Sequence, residues 1–493
     1  MTVAPAPVPP NLARFLARDD FDVAVVGAGP AGAAAAIEAA ELKLRVAIVD
    51  EQALAGGQVY RAVPGIAPAR PDAERTEGDR VRAQLGAANV ERLLAHRVAH
   101  VERRDDAWHV HTQGPDGPRT VEARTLVLAT GAQERHLPFT GWDRPGVLGL
   151  AAATVLLKAQ RVLPGRNVVV AGAGPLLLLV AKAILDGGGR VAAVIDAHPR
   201  TAWFASAAEI LSRPDLATRG MGWYRALLAK GVPLHHGALL RAVDGDAPHL
   251  RATMVPVNRD GHPLPDAPMT TFACDAVCVG YGLMPATELT RLLGAAHAFD
   301  PALGGWHVVV DHDQRSTVPR LYVAGDAAGI TGAAAAPWTG RVAAMAAAHD
   351  LGELDTAEHA ARAAPARREA LRAIRFGGVM TRIANVGDGA VAAVPPDVVV
   401  CPCEGVTRAT LEAAIAAGAA TPDDLAATTR CGAGSCGGRV CGEAAARLIA
   451  LRTGKPRAAI GQPTARLLRP MDLDTRAGER DDDARPIPAP APR

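Results

Sequence analysis

The segment FDVAVVGAGPAGAAAAIEAAELKLRVAIVDE (21–51) constrains the fold more than any other stretch of the chain. An apolar run of strand length leads into Gly27, Gly29 and Gly32 in G-x-G-x-x-G register, followed by an alanine-rich helix and a second apolar strand that ends in acid. The three glycines serve different ends, namely the tight turn, the approach of a pyrophosphate to the backbone, and close packing of helix on strand. Pro30 and Ala31 open the helix, whose free N–H groups favour phosphate. Asp50 ends the second strand where a carboxylate bonds a ribose hydroxyl, and Glu51 is its near rival. The segment reads as a complete βαβ nucleotide-binding unit.

A second unit, RNVVVAGAGPLLLLVAKAILDGGGRVAAVID (166–196), repeats the plan. Gly172 and Gly174 keep the first two positions, but Leu177 stands where the third glycine belongs. Leucine there is expected to push the helix off the strand or reshape the groove, which predicts a poor NAD(P) site. Asp196 still ends the following strand, so the unit is either a weak nucleotide site or a retained scaffold.

A chain of 493 residues implies about two to four folding units. Aromatic residues are only 3% while alanine and glycine are abundant, which suits close helix–sheet packing. A net charge of +2, without a basic run interleaved with aromatics, argues against nucleic acid or an anionic membrane as partner. The Pro-rich lead-in MTVAPAPVPPNLARFLARDD lacks the continuous apolar core of a signal peptide. The longest apolar run (168–181) is too short to span a bilayer. A cytoplasmic location is therefore expected, where structural disulfides are rare.

TLVLATGAQER (125–135) runs a strand into Thr130-Gly131, and PRLYVAGDAAG (319–329) runs another into Gly325-Asp326. With GGQ (56–58), these segments resemble the two-dinucleotide-domain flavoproteins that include thioredoxin and glutathione reductases, over roughly residues 20–350. The resemblance implies an α/β fold of two Rossmann-like domains, of pyridine nucleotide-disulfide oxidoreductase type with three ββα layers. It implies FAD in the first domain, with Gly57, Gln58, Thr130, Gly131, Gly325 and Asp326 joining the glycine loop, and Asp326 bonding the ribityl chain. One departure matters. GGQVYRAVPG (56–65) has no redox cysteine, and Cys274 and Cys278 alternate with apolar residues as core thiols, so disulfide reduction is excluded. His136, just past the Thr130-Gly131 turn, is expected to be a local hydrogen bonder, because the sequence supplies no group to orient it as a base. No catalytic residue stands out.

The other five of the seven cysteines lie in CPCEGV (401–406) and CGAGSCGGRVC (431–441). A disulfide staple, a zinc site and an iron–sulfur cluster compete. Thr407 can cap a helix, Thr421 with Pro422 starts a second, and a third follows Cys441, so both cysteine groups precede helix starts that favour thiolates. Zinc sites more often use C-x₂₋₄-C at both ends. The C-x-C…C-x₄-C pattern of Cys401, Cys403, Cys436 and Cys441 instead resembles the [2Fe–2S] domain of bacterioferritin-associated ferredoxin. Cys431 is a spare in this register, or an alternative ligand in place of Cys441.

Together, CPCEGVTRATLEAAI, TTRCGAGSCGGRVCG and GYGLMPATEL (280–289) make the chain resemble the FAD/iron–sulfur alpha subunits of heteromeric bacterial dehydrogenases, a group that includes opine oxidase, hydrogen cyanide synthase and D-hydroxyproline dehydrogenase. That resemblance implies oxidation of an amine or imino acid at a flavin on a partner subunit resembling D-amino-acid oxidase, with a small ferredoxin-like protein as a further partner. The present chain would relay the electrons. Its rivals are a self-sufficient NAD(P)H oxidoreductase and a non-catalytic assembly subunit. The expected organisation is a lead-in over 1–20, a discontinuous FAD domain (21–150 and 286–395), an NAD(P)-binding-like domain (151–285), a small helical [2Fe–2S] domain (396–455) and an extended or disordered tail (456–493).

Overall fold

A computed structural model describes residues 19–65 and 73–464; the expectations for the lead-in before residue 19 and the tail after residue 464 lie outside the described residues. The first sheet has seven strands. Val90–Leu94, Val46–Asp50, Asp19–Val26 and Gly117–Leu128 run parallel in that order, and Leu321–Val323 joins the far end of Gly117–Leu128, also parallel. Ala107–Gly114 and Arg97–Arg104 extend from Gly117–Leu128 antiparallel, as a meander. Val23, Ala24 and Val25 have no exposed surface, as expected of a strand covered on both faces.

Small side chains allow the layers to approach closely. The helices Pro30–Glu41 and Ala336–Asp350 pack so tightly that a Cβ added to Gly340 would overlap the carbonyl of Ala31. A Cβ on Gly32 would likewise overlap the carbonyl of Gly27, so this glycine does the packing work expected of it.

The second sheet is wholly parallel, in the order Val147–Gly149, Ala276–Gly280, Asn167–Gly172, Arg190–Asp196, Leu234–His236. It recruits Val147–Gly149, a few residues before the boundary expected at 151. A three-stranded antiparallel sheet, Ala238–Asp246, His249–Pro256 and Thr270–Cys274, packs beside it. The chain crosses between the two units through Ala132–Glu134 and Leu283–Pro285, which pair antiparallel as a two-stranded bridge. A 29-residue helix, Thr356–Ala384, starts against the first unit and ends on the second.

The C-terminal unit holds a short hairpin (Val399–Cys401 with Val406–Thr407) and the helices Arg408–Ala416, Pro422–Thr429 and Gly442–Thr453. The expected starts are present. Thr407 accepts from the Thr410 N–H, and Thr421 forms a reciprocal capping box with Asp424 over Pro422. Residues 462–464 run back across this unit, with Thr464 N–H on Asp423 and Arg291 donating to the Pro463 carbonyl.

Candidate flavin and iron–sulfur sites

The dinucleotide groove is built from glycines on two loops. Gly27 holds φ +102°, and its missing side chain leaves room for the carbonyl of Ala129. Gly29 caps the helix that begins at Pro30, and the only atom near its absent Cβ is the Cα of Gly57, at 3.7 Å. Gln58, exposed on the same loop, accepts a hydrogen bond from Arg61. Gly131, at φ +73°, faces open space, and Thr130 Oγ1 ties the turn to the Ala286 carbonyl at 3.1 Å.

Asp50, at the end of its strand, is engaged by the backbone of the glycine loop. Its carboxylate accepts the N–H of Ala28 at 2.5 Å and that of Gln52 at 2.7 Å, so it braces the glycine loop from beneath. Burial pushes its pKa up, against the pull of those two N–H groups. Glu51 is the exposed acid beside it.

Gly325 holds φ +69° with its missing Cβ against the Ala31 methyl, so the Gly325-Asp326 turn docks on the start of the phosphate-facing helix. Asp326 Oδ1 accepts the N–H groups of Thr331 at 3.0 Å and Gly332 at 2.8 Å, and burial raises its carboxyl above the ordinary range. A glycine cradle, a helix N-terminus and a desolvated carboxylate at one groove fit an FAD.

The five C-terminal thiols divide into two sets. Cys401, Cys431 and Cys441 are buried, with their sulfurs within 4.8 Å of one another. Exposed Cys403 and half-buried Cys436 lie beside each other as a second pair. A [2Fe–2S] centre takes two protein ligands on each iron. The outer pair plus two of the buried three supply that two-plus-two arrangement, so the donor set fits the cluster. Cys431, read from the sequence as a spare, lies inside the buried group. Cys274 and Cys278 are separate from all of these and sit on two different strands, not one. Burial holds their thiols up at about 11 and about 12, which leaves them inert.

A buried ion cluster that no local pattern announces joins the cysteine unit to the rest. Glu443, two residues past Cys441, accepts from Arg447 Nε at 2.8 Å and Arg457 Nη2 at 2.7 Å, with Arg135 Nε at 3.8 Å. Arg135 also donates to the carbonyls of Gly304 and Tyr281, and its burial lowers its pKa to about 10. Arg447 adds the Val386 carbonyl and Asn385 Oδ1. Trp142 Nε1 donates to the Val399 carbonyl at 2.8 Å, two residues before Cys401. The His136 ring lies tilted against Trp142, with centroids 6.5 Å apart, and burial depresses its pKa. The sequence hint was slight: an arginine shortly after the Thr130-Gly131 turn, and a glutamate at the first turn of the last long helix.

The second glycine loop is crowded by the long helix. A Cβ on Gly174 would lie 2.7 Å from the Ala384 methyl, so the end of the long helix packs against this loop. Leu177 is 1% exposed and is accommodated in a core with Leu150, Val170 and Ala181. The strand-end acid is engaged as well. Asp196 accepts from His198 N–H and Trp203 Nε1, both at 3.1 Å, and lies 3.3 Å from His236 Nδ1. These residues do not fit a dinucleotide.

Comparison with known proteins agrees with both cofactors. Residues 21–363 match the pyridine nucleotide-disulphide oxidoreductase family, and residues 399–450 match the BFD-like [2Fe–2S] binding domain. The chain is 33% identical to an opine oxidase subunit of Agrobacterium tumefaciens (strain Ach5), over 86% of this chain and 84% of the relative. It is 33% identical to hydrogen cyanide synthase subunit HcnB of Pseudomonas aeruginosa, over 85% of this chain and 90% of that one. Among solved structures, the L-proline dehydrogenase of P. horikoshii shares the fold, with a TM-score of 0.68 at 20% identity over 93% of this chain and 79% of that one. The chain therefore belongs to the pyridine nucleotide-disulphide oxidoreductase family, as an FAD-dependent oxidoreductase with an additional BFD-like [2Fe–2S] domain.

Proposed function

We propose that this chain is the electron-transfer subunit of a heteromeric dehydrogenase that oxidises an amine or imino acid at a flavin on a partner subunit. The observation that carries this reading is the buried Glu443–Arg135–Arg447–Arg457 cluster, which ties the cysteine unit to the segment leaving the FAD groove. Such a tie suits one-electron transfer between fixed cofactors, since a flavin converts between one- and two-electron steps and a cluster passes single electrons. Oxidation of a carbon–nitrogen bond releases two electrons and two protons, and this chain would take the electrons. The names of the relatives, subunits of opine oxidase and hydrogen cyanide synthase, support the substrate class.

The FAD is assigned to Gly27, Gly29, Pro30, Ala31, Gly32, Glu51, Gly57, Gln58, Thr130, Gly131, Gly325 and Asp326, with Asp50 as the brace of the loop. The cluster is assigned to Cys401, Cys403, Cys436 and Cys441. The domain limits are those expected from the sequence, with the second domain starting near Val147, and the location is cytoplasmic. No described helix is long and apolar enough to cross a membrane. The test is to purify the tagged chain anaerobically with whatever subunits co-purify, then supply opines, D-hydroxyproline and glycine. Bleaching of the flavin and reduction of the cluster by one of these, with NADH and NADPH inert, is the expected result. Stoichiometric bleaching by NADH in the isolated chain would replace this reading with a self-sufficient NAD(P)H oxidoreductase.

A further inference from the structure

Glu134 ends the short strand Ala132–Glu134, which leaves the Thr130-Gly131 turn, and it pairs there with Leu283. Its carboxylate turns to the start of the helix Leu150–Val155 and accepts the Ala151 N–H at 3.1 Å. The backbone leaves a slot for it: a Cβ added at Gly149 or at Gly280 would collide with the carboxyl oxygens. Among the described residues, no cation pairs with it. Arg135, its neighbour in sequence, is committed to the Tyr281 and Gly304 carbonyls and to Glu443. The Cys278 thiol beside it is held up at about 12. Burial therefore dominates and lifts the Glu134 carboxyl to about 7, against the pull of the Leu150 and Ala151 N–H groups. An acid balanced between its two forms near neutral pH is suited to exchanging a proton.

The carboxyl has both an outlet and a neighbour. Glu134 lines a cavity of about 840 Å³, which has room for water at about 30 Å³ a molecule. Much of the wall is leucine and aromatic, while exposed Arg200 and Arg219 and half-buried Tyr224 supply polar surface where the cavity opens to solvent. Arg219 lies over the Trp223 ring, 5.4 Å from its centroid, and Asp196 is engaged by His198, Trp203 and His236. The Ile330–Ala334 loop lines the same cavity, and its Thr331 and Gly332 N–H groups are held by Asp326. In FAD the redox-active ring is joined to the ribityl chain, at the opposite end from the pyrophosphate. With the pyrophosphate at Gly29 and the ribityl chain at Asp326, the ring falls beyond Asp326, toward this loop. Leu283, the strand partner of Glu134, is one step from the loop as well. Its carbonyl and Ile330 Cγ1 lie 3.0 Å and 2.5 Å from the place of an absent Cβ on Gly304.

We propose that Glu134 is the proton-holding group of the flavin site: it binds a proton when electrons reach the FAD and returns it through the cavity when they leave. The source of the electrons rests on the relay function above. Oxidation of the carbon–nitrogen bond releases two electrons and two protons. As the electrons reach this chain, one proton goes to the flavin ring and one to the Glu134 carboxylate. When the electrons pass singly to the cluster, both protons return to water, so charge balances at each end. A proton held on Glu134 offsets negative charge on the reduced ring. By linkage, the affinity of the acid for a proton and that of the flavin for electrons rise together.

The test uses the full chain with FAD and cluster in place, without partner or amine, and reads the flavin midpoint potential by electrochemical titration at a series of pH values. Above about pH 7 the wild-type potential should fall more steeply with pH than that of Glu134→Gln. The difference should be about 30 mV per pH unit, the value of one extra proton per two electrons. Below about pH 6 the carboxyl is neutral in both redox states, and the two slopes should coincide. Glutamine can still accept the Ala151 N–H, so flavin and iron content should be unchanged. Equal slopes throughout would overturn the proposal. So would an offset of the same size at every pH, which is what a merely structural role would give. If Glu134→Gln fails to hold FAD, the wild type decides alone. Its reduced-minus-oxidised infrared spectrum above neutral pH should show a carboxylic acid C=O band appearing on reduction, and absence of that band would overturn the proposal. Failure of amine oxidation in the complex would refute the relay function and leave this result standing. Equal slopes with amine oxidation intact would refute the proton role alone.

Discussion

Replacing Glu443 with glutamine removes one charge and almost no volume from the cluster that joins the iron–sulfur unit to the flavin unit. Three guanidiniums converge on this carboxylate, and the side chains of Arg135, Arg447 and Arg457 are 2%, 5% and 12% exposed. Even the longest contact, Arg135 at 3.8 Å, is worth about 4 kcal/mol of Coulomb attraction at an effective dielectric of about 20. Desolvation of the ions offsets much of that while the cluster is whole. Once the carboxylate is gone, the guanidiniums stay buried, and only Arg447 keeps a carboxylate, Asp388 at 3.2 Å. Breaking a buried pair from one side costs about 3–5 kcal/mol, so Glu443→Gln should lose that much from the unfolding of the C-terminal unit. Urea titration of the holoprotein, followed by cluster absorption and separately by flavin fluorescence, isolates that transition in a chain that need not unfold in one step. The double variant Glu443→Gln/Arg135→Met should recover part of the loss, because it removes one of the stranded cations. A loss below about 1 kcal/mol for Glu443→Gln, or a double variant worse than the sum of the singles, would refute the reasoning.

Gly29→Ala should keep the fold and lose FAD, since its new methyl meets only the Gly57 Cα at 3.7 Å within the protein but occupies the pyrophosphate face; flavin absorbance after gel filtration checks it. Cys403→Ser and Cys441→Ser should each abolish or reshape the paramagnetic signal of the reduced cluster, and Cys431→Ser should leave iron content and signal nearly intact. The reverse pattern for Cys431 and Cys441 would move the ligand set by one cysteine. Burial raises the Glu134 carboxyl from 4.5 to about 7. Its neutral form is favoured in the folded state, so the associated stability is complete below about pH 4.5 and is lost as the pH rises through about 7. Glu134→Gln, which can still accept the Ala151 N–H, should flatten that fall by up to about 3 kcal/mol in thermal scans across this range.

What the sequence by itself determined is local in origin. The strand–glycine–helix–strand units, the helix starts at Thr407 and Thr421, and the two clusters of cysteine depend on residues a few positions apart, and their chemistry is readable at that range. Even Gly32, judged only by spacing, proved to be packed against Gly27 for the reason its register implies. The tertiary structure decided everything that needed two distant segments to meet. Asp50 and Glu51 are adjacent and chemically alike, and only the folded loop shows that Asp50 turns inward to the Ala28 N–H. Leu177 suggested a damaged nucleotide site through helix–strand spacing. The structure instead seats Leu177 in the core and packs Ala384, more than two hundred positions away, against the loop. Glu443 meets Arg135 across a still longer separation. A buried charge or a small residue at a close contact looks, in sequence, like any other glutamate or alanine, because its role is set by a partner that folding alone brings near.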